Sequence, residues 1–399
     1  MGEKTISRNK VLGIAGLGWM FDAMDVGMLS FIIAALKVDW GLTPQQMGWI
    51  GSINSIGMAV GAFVFGIWAD RIGRKNIFII TLVLFSLASG LSAFATTLSI
   101  FLILRIFVGM GLGGELPVAS TLVSEIVPAK DRGRIVVLLE SFWAVGWLIA
   151  ALISYFVIPA FGWRIALLLS ALPALYAIYL RLKLPDSPAF SPKKSEKRTV
   201  LQNIKDVWSK EHARSTFVLW TVWFTVVFSY YGMFLWLPSV MVMKGFNLIQ
   251  SFEYVVIMTL AQLPGYFTAA WFIERIGRKF VLVTYLLGTA ASAFVFGTAE
   301  STALLIGSGI LLSFFNLGAW GALYAYSPEQ YPAVIRGTGT GMAASVGRIG
   351  GILGPLLVGS LVSAGYSIGF IFSIFCGSII IGVLAVAFVG HETRQIELA

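Results

Sequence analysis

Two acids stand three residues apart in Phe21-Asp22-Ala23-Met24-Asp25, within an apolar run, and that spacing puts both carboxyl groups on one helix face. Acids in hydrocarbon are costly and face a cavity or a partner, so Asp22 and Asp25 are candidates to take up and release a proton. With a helix starting near Val11 they lie roughly 16 Å and 21 Å along it, at 1.5 Å per residue. Two arginines occupy similar runs. Arg105 lies roughly 10 Å below the opposite surface, a depth close to that of Asp25, and Arg348 lies roughly 16 Å into a run containing Gly347, Gly350, Gly351 and Gly354. A buried guanidinium needs a carboxylate or an anionic ligand, and its planar fork fits a substrate carboxylate. For Arg105, pairing with the first span and binding substrate are both open, and alternation between the two is itself a mechanism. Arg348 has no evident acid in its own half and is a candidate for the substrate carboxylate. Asn316, Trp320 and Tyr324 recur every four residues as a polar and aromatic stripe of the kind that faces a cavity. Trp143 adds a further candidate substrate contact, with Trp147 one turn on, and Tyr230, Tyr231 and Trp236 give a weaker signal of the same type. Glu115 is the next candidate for the proton after the aspartates. Glu140 reads as a gate contact, a second protonation site or a partner for loop arginines.

A second set of charges lies in loops. Gly66-Ile-Trp-Ala-Asp70-Arg71-Ile-Gly73-Arg74-Lys75 returns as Ala270-Trp-Phe-Ile-Glu274-Arg275-Ile-Gly277-Arg278-Lys279, a shift of 204 residues from Asp70 to Glu274. The same shift carries Glu125, Pro128, Arg132 and Gly133 onto Glu329, Pro332, Arg336 and Gly337. Two loops repeating in register mark an internal duplication, as in transporters with two helical halves. Basic residues hold such a loop at the cytoplasmic surface, and an acid beside them pairs with a base or caps a helix. Asp70, Arg71, Arg74, Glu125 and Arg132, with their counterparts Glu274, Arg275, Arg278, Glu329 and Arg336, are therefore read as gating-loop residues.

The elements that must position these groups follow from composition. Of the 399 residues 58% are hydrophobic and 12% charged, too few charges to cover a soluble surface, so the chain belongs in a lipid bilayer. Apolar runs of spanning length fall near 11–36, 46–69, 76–96, 98–124, 135–157, 163–182, 215–242, 251–273, 280–299, 301–326, 337–362 and 366–389. This divides the chain into a first bundle at 11–182, a linker at 183–214 with Pro185, Pro188 and Pro192, a second bundle at 215–389 and a tail at 390–399. Of the 28 Lys and Arg residues, Arg105 and Arg348 lie well inside spans, Lys37, Arg164 and Lys244 in or beside odd-numbered loops, and the other 23 in or beside termini and even-numbered loops. That bias places both termini in the cytoplasm and accounts for the net charge of +9 without nucleic acid. One cysteine and two histidines leave no disulfide framework or Cys/His metal site. Gly109-Met-Gly111-Leu-Gly113-Gly114 contains a literal dinucleotide fingerprint but follows no strand, and no phosphate-binding Gly-x-x-x-x-Gly-Lys-Ser/Thr is present, so neither a nucleotide cofactor nor ATP is expected.

The repeated decapeptide, Arg105-x-x-x-Gly109-x-Gly111 and Pro128-x-x-x-Arg132-Gly133-Arg134 resemble the signatures of the major facilitator superfamily across nearly the whole chain. Pro185-Asp186-Ser187-Pro188 resembles the Pro-Glu-Ser-Pro element of its sugar-porter-like and organic-ion members. The Asp-x-x-Asp pair resembles that of its proton-coupled aromatic-acid transporters, with Ala23 where Gly usually follows the first Asp. Phe21 to Gly27, Gly113-Gly114-Glu115-Leu116-Pro117 and Glu140-Ser141-Phe142-Trp143 resemble the superfamily's bacterial niacin transporters. The resemblance implies an all-α membrane protein with the major facilitator fold: about twelve transmembrane helices in two six-helix bundles related by pseudo-two-fold symmetry. It implies a monomer in the plasma membrane that imports nicotinate and nicotinamide with protons by alternating access, with no metal or cofactor and no enzymatic activity. The residues alone reach a small anionic or aromatic solute, and a proton symporter for another aromatic acid or a sugar-like solute is the alternative. The drug-antiporter element Gly-Pro-x-x-Gly-Gly is missing from the fifth span, which favours uptake over efflux.

Overall fold

The computed structural model describes residues 8–72, 74–113, 127, 128, 130–182 and 199–394, and within these residues it is helical without strands. The helices are α1 (Arg8–Trp40), α2 (Pro44–Ile72), α3 (Arg74–Ser92), α4 (Leu98–Gly113), α5 (Arg132–Phe161), α6 (Trp163–Leu182), α7 (Val200–Val207) and α8 (Ala213–Phe234). They continue as α9 (Leu237–Met243), α10 (Leu248–Leu260), α11 (Gln262–Ile276), α12 (Arg278–Thr298), α13 (Thr302–Tyr326), α14 (Ala333–Ser363) and α15 (Ile368–Leu384), the last running into a π-helical turn, Ala385–Val389. Within the described residues, each apolar run read from the sequence falls on one or two of these helices. Among the described residues eight helical segments are long and apolar enough to cross a membrane, and Ile79–Ser92, Leu98–Gly113 and Trp163–Pro173 are shorter apolar helices. Large apolar side chains such as Phe156, Phe161 and Phe388 stand exposed at 66%, 71% and 77%, as lipid-facing residues do.

Two runs are broken where proline removes a backbone donor. The seventh stops at Leu235 and Trp236 ahead of Pro238, and the eighth at Ala261 ahead of Pro264. The linker carries a helix that its prolines and basic residues do not announce. Thr199 opens α7 with a capping box, its hydroxyl accepting from Gln202 N–H at 3.3 Å while the Gln202 side chain accepts from Thr199 N–H at 3.0 Å.

Packing follows the duplication. α1 lies on α5 and α8 on α14; α2 lies on α4 and α11 on α13. The Gly109 and Gly113 face meets α2, where a Cβ at either position would overlap the backbone carbonyl of Asn54 or Met58. Two seams then join the repeats, α2 against α14 and α5 against α10 and α11. Away from the linker the seams are tight: Ser52 Oγ donates to Ile352 O at 2.6 Å, and Phe31 meets Phe252 edge-on at 5.0 Å. Between them, in the half of the molecule nearer the linker, a cavity remains.

Candidate functional site

The cavity is built by helical spacing. On α13 Trp320 and Tyr324 are one turn apart; on α14 Thr340, Ala344 and Arg348 are successive turns; on α8 Trp223, Val227 and Tyr231 do the same. Trp19 of α1, Glu140 and Trp143 of α5 and Tyr266 of α11 also belong to the wall. It encloses about 110 Å³, the scale of an engineered apolar cavity of ~150 Å³ that takes up benzene.

Its rings are held in fixed orientations. Trp320 and Tyr324 stack at 5.8 Å and 23°, Trp223 stands edge-on to both at 6.0 Å and 5.1 Å, and Trp19 stands edge-on to Tyr324 at 5.6 Å. Three indole N–H groups are anchored: Trp143 to Tyr230 Oη at 2.8 Å, Trp223 to Ser327 Oγ at 2.9 Å, and Trp19 to Glu140 Oε2 at 3.1 Å. Locked aromatic faces of this kind grip a flat ring. The Trp143 to Tyr230 bond also ties α5 to α8, across the two repeats. Arg348 contributes the cavity's guanidinium. Its Nη1 lies 3.3 Å from Met58 Sδ, a weak acceptor, and among the described residues no carboxylate forms an ion pair with it.

The sequence-derived candidates divide among three places. Trp143, Trp320, Tyr324 and Arg348 line the cavity. Asn316, one turn before Trp320, is 1% exposed and lies outside the lining; its amide has no hydrogen-bond partner among the described residues. Arg105 is not in the cavity either. It makes a bidentate pair with Asp25, Nη1 to Oδ1 at 3.0 Å and Nη2 to Oδ2 at 2.7 Å, with Asn54 Oδ1 at 3.5 Å from Nη2. Arg105 and Asp25 are 0% and 2% exposed, so the two charges compensate each other fully inside the protein. Of the two readings of Arg105, pairing with the first span is the one this conformation displays. Asp22 is 4% exposed on the same helix face as Asp25, within electrostatic reach of Tyr231, which itself adjoins Arg348. Glu115 lies outside the described residues, as do Glu125 and the side chains of Asp70, Arg71 and Arg74.

The remaining loop residues form a charge cluster at the linker end. Arg278, 0% exposed, binds Glu274 at 2.7 Å and 3.2 Å and Glu329 at 3.0 Å and 3.2 Å. The first repeat reaches into this cluster. Arg132 lies 3.9 Å from Glu329, and Arg134 donates its backbone N–H to Glu274 at 3.1 Å. Gly133 allows that approach, since a Cβ there would stand 2.9 Å from both Arg278 and Glu274. Arg336 is buried and donates Nε to Pro328 O at 3.1 Å. Arg275 departs from the expected pattern. It is exposed, 3.8 Å over the ring of Trp271 on its own helix, because one helical position separates it from the buried face that carries Glu274. The tail adds a contact that spacing could not reveal: Glu392 accepts the N–H groups of Arg278 and Lys279 at 2.9 Å and 3.1 Å, capping α12.

Trp19, Trp223 and Tyr266 are cavity residues without a polar stripe to announce them, and Glu140 is a cavity residue that pairs with no loop arginine among the described residues.

A multi-helix membrane protein with a ring-lined central cavity, an ion pair buried beside it and a charge cluster across its two repeats has the design of a transporter. The sequence profile of the Major Facilitator Superfamily matches residues 15–258 and 254–397, and the chain belongs to that superfamily. It is 66% identical to the "Putative niacin/nicotinamide transporter NiaP" of Bacillus subtilis (strain 168), covering 99% of each chain. It is 48% identical to the "Niacin transporter NiaP" of Acinetobacter baylyi over 96% of this chain and 94% of the relative. In fold it is similar to the proton:xylose symporter XylE bound to 6-bromo-6-deoxy-D-glucose, with a TM-score of 0.78 and 21% identity over 98% of this chain and 97% of that one.

Proposed function

We propose that this protein imports niacin, taking nicotinate and also nicotinamide, in symport with protons and by alternating access. The observation that carries the reading is a cavity of single-ring size walled by indoles and phenols, three of the indoles anchored by hydrogen bonds, and holding one guanidinium without an acid partner among the described residues, beside the full-length similarity to two proteins named as niacin transporters. An aromatic acid needs a flat apolar slot for its ring and one charge-assisted donor for its carboxylate. Trp143, Trp320 and Tyr324 supply the first and Arg348 the second. Asn316 sits one turn above them, placed to join the site when the other side opens. Asp22 and Asp25 take up and release the coupling proton, and Arg105 exchanges partners as they do. The chain works as a carrier of small molecules and protons and not as an enzyme.

The two bundles, 11–182 and 215–389, rock about the cavity, joined by the linker 183–214 and followed by the tail 390–399. Together they supply the twelve spans. The cluster of Arg132, Glu274, Arg278 and Glu329 closes the linker end, which the lysine and arginine bias assigns to the cytoplasm. The protein acts as a monomer in the cell membrane. Reporter fusions after residues 40 and 245 are expected to read outside, and fusions after 75 and 200 inside; an inside signal at 40 reverses the orientation.

The substrate is tested by exchange. Purified protein in liposomes loaded with unlabelled nicotinate is expected to take up labelled nicotinate, with nicotinamide competing and xylose not. Equal competition by xylose contradicts an aromatic site.

A further inference from the structure

We infer that Glu140 is a proton-carrying residue of the cavity itself, which when protonated donates a hydrogen bond from Oε1 to the ring nitrogen of a bound pyridine. The inference rests on the niacin reading above. Glu140 is 2% exposed, yet it lines the cavity. Its Oε2 accepts the Trp19 indole at 3.1 Å, while Oε1 has no hydrogen-bond partner among the described residues. No ion pair among those residues involves it. Among the described residues the groups that face it are Trp19 from α1, Tyr266 from α11 and Tyr324 from α13, all neutral. The cavity's cation, Arg348, comes from another wall, because α14 packs on α2 and α8 whereas α5 packs on α1, α10, α11 and α13. Tyr324 lies within electrostatic reach of both.

Two buried acids are thus placed very differently. Asp25 spends both oxygens on Arg105 and has none to offer a ligand. Glu140 has an oxygen to spare and, among the described residues, no ion-pair partner to stabilise an anion, and a carboxyl so placed holds a proton in preference to an unpaired charge. The chemistry then selects its ligand. A neutral carboxylic acid is a donor, a pyridine nitrogen is only an acceptor, and an ionised carboxylate would set lone pair against lone pair. Ring and proton therefore arrive together, and deprotonation of Glu140 on the release side removes the bond that held the ring. Arg348 takes the carboxylate of nicotinate, so nicotinate and nicotinamide share the Glu140 contact and differ at Arg348.

Benzoate is the probe, since it keeps the ring and the carboxylate and replaces the nitrogen with C–H. In proteoliposomes, Glu140→Gln retains an N–H donor that cannot leave as a proton. It is expected to lose nicotinate accumulation driven by an acidic exterior, to keep nicotinate exchange, and to keep the wild-type preference for nicotinate over benzoate in competition. Glu140→Leu is expected to lose that preference, by roughly tenfold for one lost hydrogen bond. Gradient-driven accumulation by Glu140→Gln at the wild-type level, or an unchanged preference in Glu140→Leu, overturns the inference while wild-type exchange of nicotinate still stands. No nicotinate exchange by the wild type sinks the substrate reading, and this inference with it.

Discussion

Arg348→Gln is expected to weaken nicotinate transport by roughly tenfold or more and to leave nicotinamide nearly unaffected. The two compounds share a pyridine ring and differ in charge, so the ratio of the two effects isolates the group that binds the carboxylate. Arg348 faces the cavity with the Met58 thioether and the Tyr231 phenol as its neighbours and no ion pair among the described residues, so no described carboxylate competes with an anion for its donors. Removing a charge-assisted hydrogen bond costs on the order of 1.5 to 3 kcal/mol, against about 1 for a neutral one, and 1.4 kcal/mol is tenfold. Arg105→Gln is expected to behave otherwise and impair both compounds, because it breaks the buried pair with Asp25. Competition by each compound on each mutant separates the cases. An equal loss of both in Arg348→Gln makes that arginine structural, and a loss confined to nicotinate in Arg105→Gln moves the carboxylate site there.

Asp25→Asn is expected to abolish accumulation driven by a pH gradient while exchange of internal for external substrate persists. Asparagine keeps a hydrogen-bond acceptor for Arg105 and cannot take up a proton, so partner exchange can no longer be linked to proton movement. The same change leaves a fully buried guanidinium without its counter-charge. Breaking a buried pair from one side typically costs about 3 to 5 kcal/mol, so the variant is also expected to melt at a lower temperature in detergent than the wild type. Asp22→Asn, whose parent is not in that pair, should share the coupling defect without the full loss of stability. Accumulation that survives in both single variants places the coupling site elsewhere. Unlike Glu140→Leu, neither variant should alter the preference for nicotinate over benzoate, since neither acid lines the cavity.

The helices were legible because a bilayer imposes length and hydropathy on every span, and the two breaks were foreshadowed by Pro238 and Pro264. Asp25 and Arg105 could be matched by depth alone, counting from opposite surfaces at a fixed rise per residue. Which rings face the cavity was harder to read. A span that is apolar all round carries no face signal, so Trp19, Trp223 and Tyr266 look like packing, whereas Trp320 and Tyr324 stood out through a polar residue beside them. That same residue, Asn316, lies one turn beyond the lining of this conformation. The position of Glu140 depends on how α5 is rotated against α1, a tertiary fact with no local signature. The α7 helix did have one, the Thr199-x-x-Gln202 capping box, hidden among the prolines and lysines before it. Arg275 shows the limit of a repeat as evidence: the copied motif fixes which residues are basic, while the helix phase decides which of them turns inward.

The measurement that bears most directly on the function is uptake of labelled nicotinate into liposomes holding the purified protein, with and without an acidic exterior. The account predicts saturable uptake in both cases, rising above equilibrium only with the pH gradient and collapsing when a protonophore is added. Saturable uptake that equilibrates and never exceeds equilibrium, whatever the gradient, would contradict proton symport, and no saturable uptake at all would contradict niacin as the substrate.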